Sequence, residues 1–323
     1  MGNTVDSIVA ELQDNAALCA DELYLALSEC VLRVRSNSTE LLAGLTDYFS
    51  HVASKASTPD VDIIAIERDA PELDMEFIDW KREPGKTGRK DSYVDLPGGR
   101  LVRKVRTGMV FLQSERHRVA AGPCRKYDNQ VINFINSQYM NWLQNRGWLI
   151  CHAAGLVYRG KGLGIAGFSG GGKSTLMLNL LDNDEVTYLT NDRLFMHAGS
   201  GKAVGRGIPK LPRINPGTIV HNKKLQDLIP APQRKALLKL PAAELWELEE
   251  KYDVHVDRIY GNGRITAEAP LSAFLILDWQ RDSDKELQVE RVDPAEHLEL
   301  LGALMKSPVP FYQHPDGTFQ RDD

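Results

Sequence analysis

The run Gly167-Phe168-Ser169-Gly170-Gly171-Gly172-Lys173-Ser174 constrains this chain more than any other feature. It fits the pattern G-x-x-x-x-G-K-[ST], in which every fixed position has a physical reason. The glycines let the backbone turn its N–H groups toward an anion with no Cβ in the way. The lysine reaches phosphate oxygens, and the serine hydroxyl is an oxygen ligand for magnesium. Because so short a pattern also arises by chance, its flanks decide. Leu163-Gly164-Ile165-Ala166 before it reads as a short apolar strand, and Ser174-Thr175-Leu176-Met177-Leu178-Asn179-Leu180-Leu181 after it reads as a helix. Strand, loop and helix come in the required order, and the helix N-terminus adds its positive dipole. The segment is therefore expected to bind ATP with Mg2+ through Gly167, Ser169, Gly170, Gly171, Gly172, Lys173, Ser174 and Thr175, with Ser174 on the metal.

A second metal anchor is expected at a strand tip beside the loop. Val186-Thr187-Tyr188-Leu189-Thr190 reads as a strand that delivers Asn191-Asp192-Arg193, and Asp192 follows Lys173 by 19 residues. That spacing is short and points to a compact nucleotide-binding domain; a plain turn aspartate is the competing reading. Upstream, Gly155-Leu156-Val157-Tyr158 and Leu163-Gly164-Ile165-Ala166 flank Arg159-Gly160-Lys161-Gly162, a hairpin signal. Pairing Tyr158 with Leu163 carries His152 back to the level of Ser169. An imidazole there can donate to a phosphate oxygen or assist proton transfer, though a lone histidine is also an ordinary structural residue.

These residues resemble the HPr(Ser) kinase/phosphorylase family, in its branch of HPr-kinase-related kinases of type B, within the wider fold shared with ATP-dependent PEP carboxykinase. The likeness rests on His152-Ala153, on the loop Gly167 to Ser174, and on Thr190-Asn191-Asp192, where the family has Ala-Asp-Asp. It is good over about residues 130–215 and faint elsewhere. It implies an α/β nucleotide-binding domain with a mixed sheet, ATP and Mg2+ as cofactors, and phosphoryl transfer to a hydroxyl. By the same resemblance Lys173, Asp192, His152 and Arg206 form the catalytic set, with Ser174 and Asp192 on the metal. Two departures stand out. Asn191 replaces the first aspartate of the family pair, and Val204-Gly205-Arg206-Gly207 lacks the acid of the family's Glu-x-Arg-Gly. An amide is no base near neutral pH, so the acceptor proton would leave through Asp192 or through His152. Arg206 would neutralise transition-state charge or is an ordinary loop arginine, and Arg264 matches a family arginine only loosely. The acceptor is a protein serine or a small sugar or polyol. A nucleotide-binding regulatory module without phosphoryl transfer is the alternative.

Elsewhere the chain reads as mixed α and β. Helices are expected over 5–20, after Thr39, over 129–146, over 234–252 and from Asp293 to about Met305. Strands are expected over 23–34, 61–66, 75–78, 109–112 and 274–277. The expected division is a smaller α/β region at 1–125, for substrate or partner recognition, and a kinase domain at 126–323. Between Lys81 and Arg106 nine Lys or Arg stand against three acids. That stretch is a solvated hairpin face or a docking surface for an acidic protein partner. The net charge of −5 gives no general attraction to nucleic acid or to anionic membranes. Cys19, Cys30, Cys124 and Cys151 have no metal-type spacing. No signal sequence and no apolar run of spanning length is seen, so a cytoplasmic setting is expected, with homo-oligomerisation left open.

Overall fold

A computed structural model describes residues 3–81, 88–168, 170–199, 201–248, 250–278 and 286–320. The chain is α/β with mixed sheets and divides into two units, Met1–Arg146 with Ser307–Asp323, and Gly147–Lys306. The expected boundary at 125 thus moves to 146, and the segment from Ser307 returns to the first unit.

In the first unit, helix α1 (Val5–Gln13) starts with Thr4 accepting a hydrogen bond from the Ser7 amide. It stops well before residue 20, because Asp14 and Asn15 take positive φ of 47° and 55°. The expected strand at 23–34 is instead two strands, β1 (Leu23–Leu27) and β2 (Cys30–Ser36), folded back at Ser28 with φ of 56°. Then come α2 (Thr39–Tyr48), β3 (Ala53–Ser54), β4 (Val61–Glu67), β5 (Ile78–Asp79), β6 (Asp91–Leu96), β7 (Gly99–Lys104), β8 (Val110–Ser114), β9 (Arg118–Gly122) and α3 (Asp128–Gln144). Ser38, not Thr39, caps α2. The strands form one sheet in the order β3-β1-β2-β4-β9-β8-β7-β6-β5, with β4 parallel to β2 and β9. Alternation of apolar residues gives the sheet two buried faces. Val110 and Leu112 pack against Ile8 and Leu12 of α1, whereas Phe111 meets Phe134 of α3 with ring centroids 5.0 Å apart. That contact ties α3 to the first unit.

Three cations of the basic stretch pair with nearby acids. Arg89 pairs with Asp79 at 2.8 Å, Arg100 with Asp95 at 2.6 Å and Lys104 with Asp91 at 2.9 Å. Residues 82–87 of that stretch lie outside the described residues.

The second unit contains β10 (Leu149–Cys151), β11 (Ala153–Tyr158), β12 (Lys161–Gly167), α4 (Lys173–Leu181), β13 (Val186–Thr190), β14 (Leu194–Ala198), β15 (Ala203–Arg206), β16 (Arg213–Ile214) and α5 (Pro216–Val220). These are followed by α6 (Ala231–Leu237), α7 (Ala242–Glu247), β17 (Tyr252–Asp253), α8 (Val256–Tyr260), β18 (Glu268–Leu277) and α9 (Leu301–Leu304). The long helix expected at 234–252 is broken at Pro241, which has no N–H to donate. The helix expected from Asp293 is reduced to a 3-10 turn at Leu298–Leu300 and to α9. The strand expected at 274–277 is the end of β18 and only partly buried.

The large sheet of this unit has the order β10-β14-β15-β18-β12-β11-β13. Only His152 separates β10, at one edge, from β11, next to the other edge, and only Asn191, Asp192 and Arg193 join β13 to β14. The sheet must therefore curl until its edges meet at those residues. On one face α4 buries Met177, Leu178 and Leu181 against Ala154, Leu156 and Ile165.

Candidate active site

The site is built on a hairpin. β11 and β12 pair from Tyr158↔Lys161 to Ala153↔Ala166, closed by Arg159 and Gly160 with φ of 49° and 73°. Two central residues with positive φ make the tight turn whose twist suits paired strands. The ladder is thus two residues tighter than the expected Tyr158–Leu163 pairing. His152 comes level with Gly167, the first loop residue, rather than with Ser169, which lies outside the described residues.

The glycine-rich loop then turns into α4. Gly170 and Gly172 take φ of 78° and 79°, and the Gly171 N–H bonds the Phe168 carbonyl at 3.0 Å. Lys173 Nζ folds back on the loop, donating to the carbonyls of Gly167 at 2.7 Å and Phe168 at 3.2 Å. Burial pulls its pKa below the usual lysine range; Asp192 opposes that shift and Lys306 adds to it. Ser174 is partly buried in the first turn, and the exposed Thr175 shares a hydroxyl hydrogen bond of 3.0 Å with Thr218.

At the seam of the sheet, His152 Nε2 lies 3.0 Å from Asp192 Oδ1. The backbone holds both partners. The His152 N–H donates to Leu304 O at 2.7 Å, and Thr190 Oγ1 donates to Arg193 O at 2.8 Å across the strand tip. Arg193 also forms an ion pair with Asp192. Burial alone would raise the Asp192 pKa. The His152 hydrogen bond and the charges of Arg193, His152 and Lys210 outweigh it and hold the carboxyl well below the usual range. Beside it Asn191 Oδ1 is buried, with no hydrogen-bond partner among the described residues. A carboxylate, a free amide oxygen and a serine hydroxyl are the hard oxygen donors that magnesium takes, usually with waters and phosphate completing its shell. Among the described residues no group of three or more His, Cys, Asp or Glu is placed to hold a metal unaided.

Two expected arginines have other work. Arg206, 4 % exposed, sits opposite Glu268 in the β15–β18 ladder, donates Nε to its carboxylate at 2.7 Å, and lies 4.3 Å over the Trp148 ring. The acid that Val204 lacks is thus supplied to Arg206 from β18. Arg264 is buried and donates to the carbonyls of Leu181, Asn183, Val186 and Tyr260, closing the end of α4.

One residue at the site had no motif to reveal it. Lys210 sits in Ile208-Pro209-Lys210-Leu211-Pro212, and its carbonyl accepts from the Tyr188 hydroxyl at 2.8 Å. Burial brings its pKa down to about 8, against the opposing pull of Asp192. The only signal in the sequence is a lysine held between prolines.

Among the described residues no helix is long and apolar enough to cross a membrane. No family model matches the chain, and no curated protein matches it. A solved structure of the Hpr(Ser) kinase/phosphatase from Coxiella burnetii is similar over 44% of this chain and 65% of that one, at 16% identity. The TM-score is 0.26, a likeness too slight to carry any argument about this chain.

Proposed function

We propose that the chain is an ATP- and magnesium-dependent kinase that transfers the γ-phosphoryl group to a hydroxyl. The observation that carries the reading is the His152–Asp192 contact of 3.0 Å at the level of Gly167. A glycine-rich loop alone suits any nucleotide-binding protein, whereas an oriented imidazole beside it suits proton transfer.

Lys173 exchanges its two loop carbonyls for β- and γ-phosphate oxygens, joined by the loop N–H groups and the α4 dipole. Ser174 and Asp192, with Asn191 beside Asp192, would hold magnesium, which would supply charge neutralisation on the phosphates. A carboxyl held so far below its usual range is a weak base, so Asp192 orients and His152 accepts the proton. With Nε2–H donated to Asp192, the lone pair is on Nδ1. The acceptor oxygen forms its bond to the γ-phosphorus, the bond from that phosphorus to the bridging oxygen breaks, the hydroxyl proton goes to Nδ1, and ADP leaves.

The regulatory-module reading is favoured by one observation: Arg206, the expected transition-state cation, is already engaged by Glu268. The two separate with γ-labelled ATP, Mg2+ and a pool of lysate proteins and metabolites. A kinase yields a labelled product that Lys173→Ala abolishes and that His152→Ala reduces by roughly 10²–10⁴-fold, with nucleotide affinity kept in the latter. Label released only as free phosphate, at the same slow rate in both variants, would leave the regulatory reading standing.

A further inference from the structure

β18 is the middle strand of its sheet, yet it is paired on both sides for only part of its length. β12 runs along it from Leu271 to Leu277, whereas β15 accompanies it only from Glu268 to Pro270. Among the described residues no strand pairs with the β15 side of 272–277. The sequence there is that of an interior strand. Phe274-Leu275-Ile276-Leu277 is an unbroken apolar run, of the kind found where both faces of a sheet are covered. Phe274 packs with the cluster of Ala153, Ala166 and Leu194, and Leu277 with the α4 cluster on the other face. All four residues of the run are nevertheless only partly buried. An open edge of N–H and C=O groups beside apolar side chains is a template for one more strand.

A segment of the right kind follows in the chain. Glu286-Leu287-Gln288-Val289-Glu290 alternates polar and apolar residues, the signature of a strand with one buried face. Its charged positions suit the edge of a sheet. Leu287 and Val289 are 92 % and 81 % exposed, so the apolar face of this pattern meets no core in the structure. Residues 278–285 join it to β18, more chain than the roughly two to five residues of a tight hairpin. An antiparallel return along 272–277 is therefore within reach, and it sets Leu287 and Val289 beside the partly buried run of β18.

Both ends of this stretch adjoin the candidate site. Leu277 pairs with Gly167, the first residue of the glycine-rich loop, and a Cβ on Gly167 would fall 2.9 Å from Leu277 O. At the far end Leu304 O accepts the His152 N–H at 2.7 Å, and Met305 bridges Cys151. A Cβ on Gly302 would lie 4.0 Å from the Phe168 ring. The segment 286–305 is thus a strap between the loop and His152, fastened at its ends and undocked in its first part.

We infer that residues 286–292 dock antiparallel on the open edge of β18 as an added strand, and that nucleotide in the glycine-rich loop favours the docked state. This rests on the nucleotide-binding part of the kinase reading and adds a closing strap to that site. Burial of Leu287 and Val289 and new ladder hydrogen bonds oppose the entropy lost in ordering the strand. For one edge strand these terms are of similar size. A ligand that fixes Gly167, and through it the end of β18, tips the balance.

The test is hydrogen exchange read by mass spectrometry on the full chain, alone and saturated with Mg2+ and a non-hydrolysable ATP analogue. The analogue is expected to slow exchange at least tenfold in peptides covering 272–277 and 286–292 together. Consecutive strand residues turn their N–H groups to opposite sides, so Gln288→Pro combined with Val289→Pro removes a ladder donor in any register. Both side chains are exposed, which spares the rest of the fold. The double variant should lose the slowing in both peptides while still binding the analogue and keeping the exchange of α4. Analogue binding with no slowing in either peptide overturns the inference and leaves the kinase reading intact. Equally slow exchange with and without analogue overturns the nucleotide linkage, and slowing that survives the two prolines overturns the docking. Protection that grows with chain concentration assigns the added strand to a second copy, which overturns docking within one chain. Failure of the unaltered chain to bind analogue removes the kinase reading and the inference with it.

Discussion

At the scale of single residues, the sequence displays chemistry best where the partners are neighbours in the chain. Gly167 to Ser174 could be read as a glycine turn leading into a helix because its residues are contiguous. His152 and Asp192 needed only one hairpin and one strand to be brought together. Lys210, Arg206 and Arg264 were not legible in this way. Their surroundings come from Asp192, Glu268 and the end of α4, and burial rather than motif decides what each cation does. Cys151, next to His152, lets burial at the seam be measured directly. It is 6 % exposed, and burial pushes its thiol up to about 11. The folded thiol holds its proton more tightly than an ordinary one of pKa 9.0. Its contribution to stability is therefore full below about pH 9 and is lost as pH rises toward 11. At pH 8 a shift of this size leaves about 100-fold less thiolate than an unfolded cysteine has. A small alkylating reagent should then modify Cys19 first and spare Cys30, Cys124 and Cys151, which are all buried. Peptide mass spectrometry reads the order, and Cys151 labelled as fast as Cys19 would contradict the buried seam.

At the scale of elements, the kinds of structure were easier to foresee than their registers and lengths. Both arms of the β11–β12 hairpin were visible, yet the pairing is two residues tighter, because Gly162 is a strand residue and not part of the turn. A Cβ at Gly162 would come 3.0 Å from Pro270 O on β18, so the glycine serves a close approach between strands. Pro241 and the short turns after Asp293 cut helices that apolar spacing alone extends, since spacing registers neither a missing donor nor tertiary packing. The turn supplies its own test. Gly160 has φ of 73° and open space where a Cβ would go, so Gly160→Ala meets no clash and incurs only the left-handed backbone cost. That cost is roughly 1–2 kcal/mol, and the urea midpoint should fall accordingly. Because the hairpin sets His152 level with Gly167, a variant of unchanged midpoint would argue against this turn and the register built on it.

At the scale of the whole chain, the first unit is discontinuous, and one arginine shows how its last segment is held. Arg100 is fully buried on β7. Its guanidinium makes two hydrogen bonds to Asp95, at 2.6 and 3.1 Å, and donates to the carbonyls of Pro310 at 3.1 Å and Gln320 at 3.0 Å. The rings of Trp80, Tyr93 and Phe319 surround it at 4.7 to 5.3 Å. No local pattern in the sequence links position 100 to position 320, and for that reason the division of the chain at 125 missed the returning segment. Without the arginine, water can hydrate the exposed Asp95 carboxylate, but the carbonyls of Pro310 and Gln320 are left unmet, at a cost of roughly 1–3 kcal/mol. Arg100→Met keeps much of the volume and loses every donor, so it should destabilise the first unit by about that amount. The loss should be local to that unit, since all these contacts lie within it. Limited proteolysis followed by mass spectrometry should find new cleavage within 307–320 and around β7. Protection of 147–306 and its affinity for an ATP analogue should be unchanged. Cleavage at equal rates across both units, or a variant as resistant as the parent, would mean that Arg100 is not what fastens the C-terminal segment to the first sheet.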